Sequence, residues 1–282
     1  WSSDVCSSDL QQQQSTHGQP PAKKSLGQHF LKREDICRRI AMLLLSKPDD
    51  MVLEIGPGPG ALTRAIEEQP HARLLLLEKD NHWAAERQRL GEARTQAVLT
   101  DALRFDWQRI TPQNPWKIIG NLPYNVASPL IWDIVSLATG WQRAAFMVQK
   151  EVGQRLAAQP NTNHYGALSV WVQSYARPRM EFIVGPGAFS PPPKVDSAVL
   201  SFDPLPPECR PAHPKVLAKL LRVCFQQRRK QLGGVFRRSG LPGLEAALEK
   251  TGLDPSLRPE ALANKDFQAL AAFWAEQLDN NA

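Results

Sequence analysis

Two glycines and two acidic residues follow successive strand-like segments of the sequence. In "VLEIGPGPGALTRAI" an apolar run leads into a turn with Gly56 and Gly58, and a helical pattern follows. Glycines let a backbone approach a ligand closely, and the helix N-terminus behind them favours electronegative groups. The next run ends in Glu78, 22 residues after Gly56, where a carboxylate can accept hydrogen bonds from both hydroxyls of a ribose. Asp101 follows the third run. Its carboxylate could accept a hydrogen bond either from an adenine amine or from a backbone N–H at the start of a following helix.

This arrangement fits two cofactors that contain adenosine, NAD and S-adenosylmethionine. Gly56, Gly58 and Ala61 satisfy the dinucleotide pattern G-x-G-x-x-G/A, although a tight turn in any α/β fold can produce it. Glu54, just before the glycines, favours S-adenosylmethionine, because an acid commonly occupies that place in enzymes that use it.

A fourth strand-like run ends in the stretch "IIGNLPYNVAS", residues 118–128. An ordinary turn needs only polar residues. This turn places an amide (Asn121), a rigid proline (Pro123) and a large aromatic ring (Tyr124) side by side at the mouth of a predicted sheet. Pro123 fixes φ and has no N–H, so it stiffens the loop, and Tyr124 offers a flat face to a nucleobase.

The elements that carry these residues alternate between strand and helix. Strand patterns occur in "MVLEIG", "RLLLLEKD", "AVLTDAL", "KIIGNLPY" and "AAFMVQK", and helical patterns between them in "GALTRAIEEQ", "NHWAAERQRL" and "SPLIWDIVSLAT". This alternation predicts an α/β, Rossmann-like fold with a parallel, doubly wound sheet.

The proline-dense stretch "DPLPPECRPAHP" marks a domain boundary. We predict a catalytic domain over residues 22–203 and a small helical domain over 204–282. Residues 1–21, which contain a glutamine run and no initiator Met, are predicted to be a disordered or non-native tail.

Composition excludes several classes of protein. The 282 residues are 42% hydrophobic, which suffices for a substantial core, and a net charge of +6 modestly favours an anionic partner. The four cysteines form no C-x-x-C pair, so we predict reduced thiols, a cytoplasmic protein and no metal site. No apolar run approaches the ~18 residues of a membrane span.

Asn-Leu-Pro-Tyr resembles the catalytic motif of methyltransferases that act on adenine and other exocyclic amines. An adenine amine is a poor nucleophile because its lone pair is delocalised into the ring. Two acceptors aimed at its hydrogens, the Asn121 side-chain oxygen and the Leu122 carbonyl, favour the pyramidal geometry in which the lone pair faces a methyl carbon. Tyr124 would stack on a base taken out of its helix.

Further stretches narrow the resemblance to the ribosomal RNA adenine dimethyltransferase family. They are "KKSLGQHFL", "MVQKEVGQRLAA", "YGALSVWVQSYA", "GAFSPPPKVDSAV" and "CFQQRRKQL", and with the earlier motifs they span residues 22–275 in family order. The resemblance implies S-adenosylmethionine as methyl donor and 16S rRNA in a small-subunit precursor as partner. The product would be two adjacent N6,N6-dimethyladenosines. Separately, we predict a monomer, because the sequence has no long exposed apolar stripe outside the predicted core.

The resemblance also implies residue roles. The cofactor-binding residues would be His29, Leu31, Gly56, Gly58, Glu78, Asp101 and Asn121. The catalytic group would be Asn121, Leu122, Pro123, Tyr124 and Phe189, with Phe189 stacking on the second face of the adenine.

Basic residues between positions 222 and 238 are interrupted by no acid, which favours phosphate contacts over a merely solvated face. The predicted RNA-binding residues are Arg222, Arg228, Arg229 and Lys230, on a helix that Gly233 and Gly234 are expected to end early.

Three other functions remain open from the sequence. The chain could be a resistance enzyme that dimethylates 23S rRNA, although "SPPPKVDSAV" and "QQRRK" argue against it. An NAD-dependent oxidoreductase would leave Asn-Leu-Pro-Tyr unexplained. A non-catalytic assembly factor could use the methyl-donor site only as a checkpoint.

Overall fold

A computed structural model describes residues 28–279 of the chain. The expectations for residues 1–21 and for the start of the "KKSLGQHFL" segment lie outside the described residues. The strands are β1 Phe30–Leu31, β2 Met51–Ile55, β3 Arg73–Glu78, β4 Thr95–Leu99, β5 Trp116–Asn121, β6 Trp141–Gln149, β7 Ala176–Val184, β8 Phe189–Ser190 and β9 Ser197–Pro204. The helices are α1 Glu34–Met42, α2 Ala61–Glu67, α3 Asn81–Leu90, α4 Ala127–Leu137, α5 Lys150–Leu156, α6 Ala167–Gln173, α7 Pro214–Gln226, α8 Leu232–Ser239, α9 Leu244–Thr251 and α10 Asn264–Asp279.

The main sheet has seven strands in the order β4-β3-β2-β5-β6-β9-β7. The first five in this order are parallel to one another, which confirms the predicted parallel sheet. At the other edge β9 pairs antiparallel with both β6 and β7, so the complete sheet is mixed. The sequence pattern did not predict β7.

Alternate residues of the central strands pack on opposite faces of this sheet. Ile118 of β5 belongs to an apolar cluster with α4, whereas its neighbour Ile119 belongs to a second cluster with α1 and α2. Both side chains are fully buried. Helices therefore cover both faces, as a doubly wound sheet requires.

The helices after residue 213 share the first of these clusters. Leu217 of α7 and Trp274 of α10 belong to the same continuous apolar core as Ile118. In addition, the Tyr165 hydroxyl donates a hydrogen bond to the Leu262 carbonyl at 2.8 Å. The C-terminal helices are thus packed onto the α/β body by buried side chains.

The structure corrects the expected shape of the basic helix. Helix α7 ends at Gln226, before the cluster of arginines, and Gly233 and Gly234 lie inside α8 instead of ending a helix. Gly233 is tightly packed, since a β-carbon there would lie 3.1 Å from Cβ of Pro255. Its N–H donates to the Pro255 carbonyl at 3.0 Å. The glycine therefore allows a close approach between α8 and a loop.

The order of the strands creates a crevice beside β2. The chain runs from β2 outwards to β3 and β4, and then crosses back to place β5 on the other side of β2. At such a switch point the loops after neighbouring parallel strands diverge, and ligands of α/β sheets bind in the resulting crevice.

Candidate active site

An open cleft of about 940 Å³, part of it continuous with solvent, lies at the carboxyl ends of β2, β3, β4 and β5. It brings together most of the residues that the sequence proposed for cofactor binding and catalysis, although they come from five separate segments. Those that line the cleft are His29, Gly56, Gly58, Glu78, Asp101, Asn121, Leu122, Pro123 and Tyr124.

The floor of the cleft is the glycine turn after β2. Gly56 and Gly58 have φ values of +68° and +49°, a region that L side chains rarely adopt. A β-carbon at Gly58 would also lie 3.1 Å from the ring of Phe30. The Gly56 N–H donates to the Leu77 carbonyl at 2.9 Å, which ties the turn to the end of β3.

Glu78 ends β3 and is only 5% exposed, with its carboxylate at the cleft. One oxygen accepts from the Gly58 N–H at 3.0 Å and the other from the Asp80 N–H at 2.8 Å. Burial is the largest influence on this carboxyl and raises its pKa, while the backbone N–H groups act in the opposite direction. Because each carboxylate oxygen can accept a second hydrogen bond, Glu78 can still bind two hydroxyls of a ribose.

Asp101 follows β4 and also lines the cleft. Lys79 donates to its Oδ2 at 2.8 Å, and the Leu103 N–H donates to its Oδ1 at 3.1 Å. The hydrogen bond from Lys79 is the main reason that the pKa of Asp101 is lowered. Asp101 therefore caps the following turn and at the same time presents a charged acceptor to the cleft.

Asn121 is the last residue of β5, and its amide is oriented by the chain segment before α1. Its Nδ2 donates to the His29 carbonyl at 3.0 Å, while Oδ1 accepts no hydrogen bond from the described residues. Leu122 is buried and its N–H donates to the Met147 carbonyl at 3.0 Å. Since no described residue donates to the Leu122 carbonyl, two neighbouring oxygen acceptors are available to a ligand.

Pro123 and Tyr124 join this turn to α4. The Pro123 carbonyl accepts from the N–H groups of Val126 and Ala127, each at 3.1 Å, and so begins the helix. The Tyr124 hydroxyl lies 2.8 Å from Oγ of Ser197. The His29 ring stacks on the Tyr124 ring, with 5.4 Å between centroids and 29° between planes.

Leu31 and Phe189 do not line the cleft. They are paired in the short antiparallel sheet of β1 and β8, and both are buried in the apolar cluster under α1 and α2. With 1% of its surface exposed, Phe189 does not present its ring to the cleft. A stacking role for Phe189 would require its side chain to leave this cluster.

The four predicted RNA-binding residues differ in their surroundings. Arg222, on α7, and Arg229 and Lys230, in the turn after it, are exposed. Arg228 is partly buried, where it pairs with Glu260 at 2.9 Å and donates to the Asn163 carbonyl at 3.0 Å. Arg228 thus links the turn after α7 to the residues around Asn163 and Glu260, in addition to any contact that it makes with RNA.

The sequence did not single out two further residues, each of which hydrogen-bonds to a residue that lines the cleft. Lys79 was missed because a lysine after a strand carries no pattern of its own. Ser197 was missed because its partner, Tyr124, is 73 residues away in the chain. Glu54, in contrast, was noted, and it accepts from the Thr63 hydroxyl at 2.7 Å beneath the glycine turn.

Within residues 28–279, no group of three or more His, Cys, Asp or Glu side chains is placed to hold a metal ion. Over the same range, the helices are too short or too polar to cross a membrane.

The fold and the cleft together define a Rossmann-like methyltransferase with Asn-Leu-Pro-Tyr at the edge of the crevice. Residues 20–276 match the family model described as ribosomal RNA adenine dimethylase. The chain belongs to this family.

Curated relatives agree with this assignment, and solved structures share the fold. The ribosomal RNA small subunit methyltransferase A of Nitratidesulfovibrio vulgaris is 55% identical over 254 residues, which are 89% of this chain and 96% of the relative. The protein of the same name from Lawsonia intracellularis is 47% identical over 91% of this chain and 95% of its own length.

A dimethyladenosine transferase from Plasmodium falciparum has the same fold, with a TM-score of 0.73 and 24% identity over 88% of this chain and 98% of that one. The 23S rRNA methyltransferase ErmE aligns with a TM-score of 0.64 and 25% identity over 87% of this chain and 99% of its own.

Proposed function

We propose that this chain transfers methyl groups from S-adenosylmethionine to N6 of two adjacent adenosines in 16S rRNA of the small ribosomal subunit. The observation that carries the proposal is the pair of available acceptors, Asn121 Oδ1 and the Leu122 carbonyl, at the edge of the cleft. The names of the relatives, which are small-subunit methyltransferases, support the choice of substrate.

The residues of the cleft fit the cofactor. Glu78 would accept from the ribose hydroxyls, Asp101 from the adenine amine, and the left-handed turn at Gly56 and Gly58 would admit the ligand against the backbone. When bound, S-adenosylmethionine supplies an electrophilic methyl group on a sulfonium. His29 and Leu31, which precede α1, would contribute to the methionine end, His29 from within the cleft and Leu31 from beneath it.

The residues of the catalytic turn would activate the amine by position. Asn121 Oδ1 and the Leu122 carbonyl accept the two N6 hydrogens, which concentrates the lone pair on the nitrogen and points it towards the cofactor. Pro123 limits movement of the turn, and Tyr124 stacks on the base. A strong general base is unnecessary, since the methylated amine readily loses its proton, so most of the rate enhancement comes from orientation.

The basic turn after α7 would contact RNA phosphates. Arg222, Arg229 and Lys230 are exposed and can position the particle without reading its sequence. Because the target bases must enter the cleft, a single-stranded loop is a better substrate than a duplex. A substrate of this kind implies a protein of the cytoplasm, and we expect it to act as a monomer with no metal.

The test is transfer of labelled methyl groups to unmethylated small ribosomal subunits, with large subunits assayed in parallel. Dimethyladenosine at two adjacent positions of the small subunit, lost in Asn121→Ala, is the expected result. Asn114→Ala is the matched control, because Asn114 is an exposed amide in the turn before β5 and lies away from the cleft. It should retain full activity.

Other outcomes separate the alternatives. Label on the large subunit would assign the chain to the enzymes that methylate 23S rRNA. Cofactor binding with no transfer to either subunit would refute catalysis and favour a checkpoint role in assembly.

A further inference from the structure

The Tyr124 side chain is anchored at its far end by a residue of the sheet. Its hydroxyl lies 2.8 Å from Oγ of Ser197. Ser197 is fully buried at the first position of β9. It is paired with Gln149 of β6 on one side and with Val184 of β7 on the other. The serine therefore belongs to one of the most constrained parts of the backbone, whereas Tyr124 lies in the turn after β5.

This contact fixes the direction in which the long axis of the aromatic ring points. The phenolic oxygen lies on the axis about which the ring rotates, so anchoring it restricts the first side-chain torsion, χ1, but not rotation about χ2. The backbone of the turn is already stiffened by Pro123, and the His29 ring packs against one face. A ring held in this way can stack on a base without losing further side-chain freedom, so the entropic cost of binding the target adenosine is lower.

The same serine also connects two walls of the site. It ends the segment that begins at β8, and within that segment the Pro191 carbonyl lies 2.9 Å from Nδ1 of His29. The hydrogen bond between Tyr124 and Ser197 thus sets the distance between the catalytic turn and residues 189–197. A target base that stacks on Tyr124 would enter beside that segment.

We propose that Ser197 is a positioning residue for the target adenosine, acting through Tyr124 and not through the cofactor. This inference rests on the proposed function, because it assigns a residue to the base subsite of that reaction. A buried hydroxyl needs a hydrogen-bond partner, and Ser197 and Tyr124 supply one another with it. Loss of either group should therefore free the ring and affect RNA more than cofactor.

The experiment is a double-mutant cycle of Ser197→Ala and Tyr124→Phe. Each variant is assayed for KM and kcat with unmethylated small subunits, for the Kd of S-adenosylmethionine, and for thermal unfolding. Each single substitution should raise KM for the subunit about three- to tenfold, the range expected for freeing one side chain. The Kd of the cofactor should stay within about twofold of the wild-type value. The double variant should be no worse than either single one.

Ser201→Ala is the matched control. Ser201 lies on the same strand and is equally buried, but its hydroxyl bonds to Glu181 on the neighbouring strand and not to a residue of the cleft. It should lower the unfolding temperature without changing KM for the subunit. Ser197→Cys, which keeps the size and a weak donor, should recover part of the loss in Ser197→Ala.

An unchanged KM in Ser197→Ala would overturn the inference, as would additive effects in the double variant or an equal change in cofactor Kd. These results differ from failure of the proposed function, in which the wild-type chain itself transfers no methyl group to small subunits.

Discussion

Replacing Glu78 by glutamine should weaken cofactor binding strongly while leaving the shape of the cleft nearly unchanged. The carboxylate accepts the N–H of Gly58 through one oxygen and the N–H of Asp80 through the other. A glutamine has a single acceptor oxygen, and its NH₂ group would face one of these two donors. The residue would then lose one backbone contact and one acceptor for the ribose.

The magnitude follows from the charge of the acceptor. A hydrogen bond to a charged group contributes about 1.5–3 kcal/mol, so losing one from the ribose should raise the Kd about 10- to 150-fold. The unsatisfied backbone N–H should also lower the free energy of unfolding by about 1–3 kcal/mol.

The assay is calorimetric titration with S-adenosylmethionine and with S-adenosylhomocysteine, together with urea unfolding of each variant. Burial raises the pKa of Glu78, so acidification should weaken cofactor binding in the wild type as the carboxylate becomes protonated. Glu78→Gln should lack this pH dependence. Glu86→Gln on α3 serves as the control, because Glu86 pairs with His82 and Arg87 and does not line the cleft.

A Kd for Glu78→Gln within threefold of the wild-type value would refute the assignment of the ribose to Glu78. A loss of affinity with an unchanged pH profile would show that the substitution acts through the glycine turn.

Three further predictions concern groups outside the cleft. Burial raises the pKa of Glu54 to about 8 from its ordinary 4.5. Between pH 4.5 and pH 8 the folded chain therefore keeps a proton on Glu54 that the unfolded chain releases. The free energy of unfolding should fall as the pH rises through this interval. The free energy of unfolding of Glu54→Gln, measured with urea from pH 5 to pH 8, should fall less steeply with pH than that of the wild type, by up to about 1.4 kcal/mol per pH unit. An equally steep fall in both proteins would contradict the burial of an acid at this position. Arg229→Ala should weaken subunit binding and reduce its salt dependence by about one phosphate contact, with no change in unfolding temperature. Arg228→Ala should lower the free energy of unfolding by about 1–2 kcal/mol through loss of the contacts to Glu260 and Asn163. If Arg229→Ala destabilised the fold and Arg228→Ala only weakened subunit binding, the placement of the two arginines would be contradicted.

The parallel half of the fold follows from strong local patterns. Apolar runs such as the one ending at Glu78 are buried on both faces, and each is followed by a helical period, so both their type and their order are predictable. β7 gave no such signal. It is an edge strand in which Arg177, Pro178 and Glu181 interrupt the apolar pattern, and its pairing with β9 stabilises it.

The candidate site was predictable where a motif combines several chemical requirements in a few residues, as from Asn121 to Tyr124. It was not predictable where a contact joins distant segments. The charge run could not show that Arg228 would find Glu260, 32 residues further on. Nor could the motif around Phe189 show that its ring would be buried beside Leu31, because that burial depends on the pairing of β1 with β8.

The continuous core between the α/β body and the C-terminal helices would let the chain measure distance along a bound RNA, if the proposed phosphate contacts are made. Leu217, Trp274 and the Tyr165–Leu262 hydrogen bond hold the two parts together, although residues 206–209 of the connecting stretch are exposed. The separation between the basic turn at Arg229 and the acceptors at Asn121 is therefore set by packed side chains. If phosphates are held at one end, only an adenosine at one fixed distance along the folded RNA can reach the other end. Selection of the nucleotide would then depend on length and not on the identity of its neighbours.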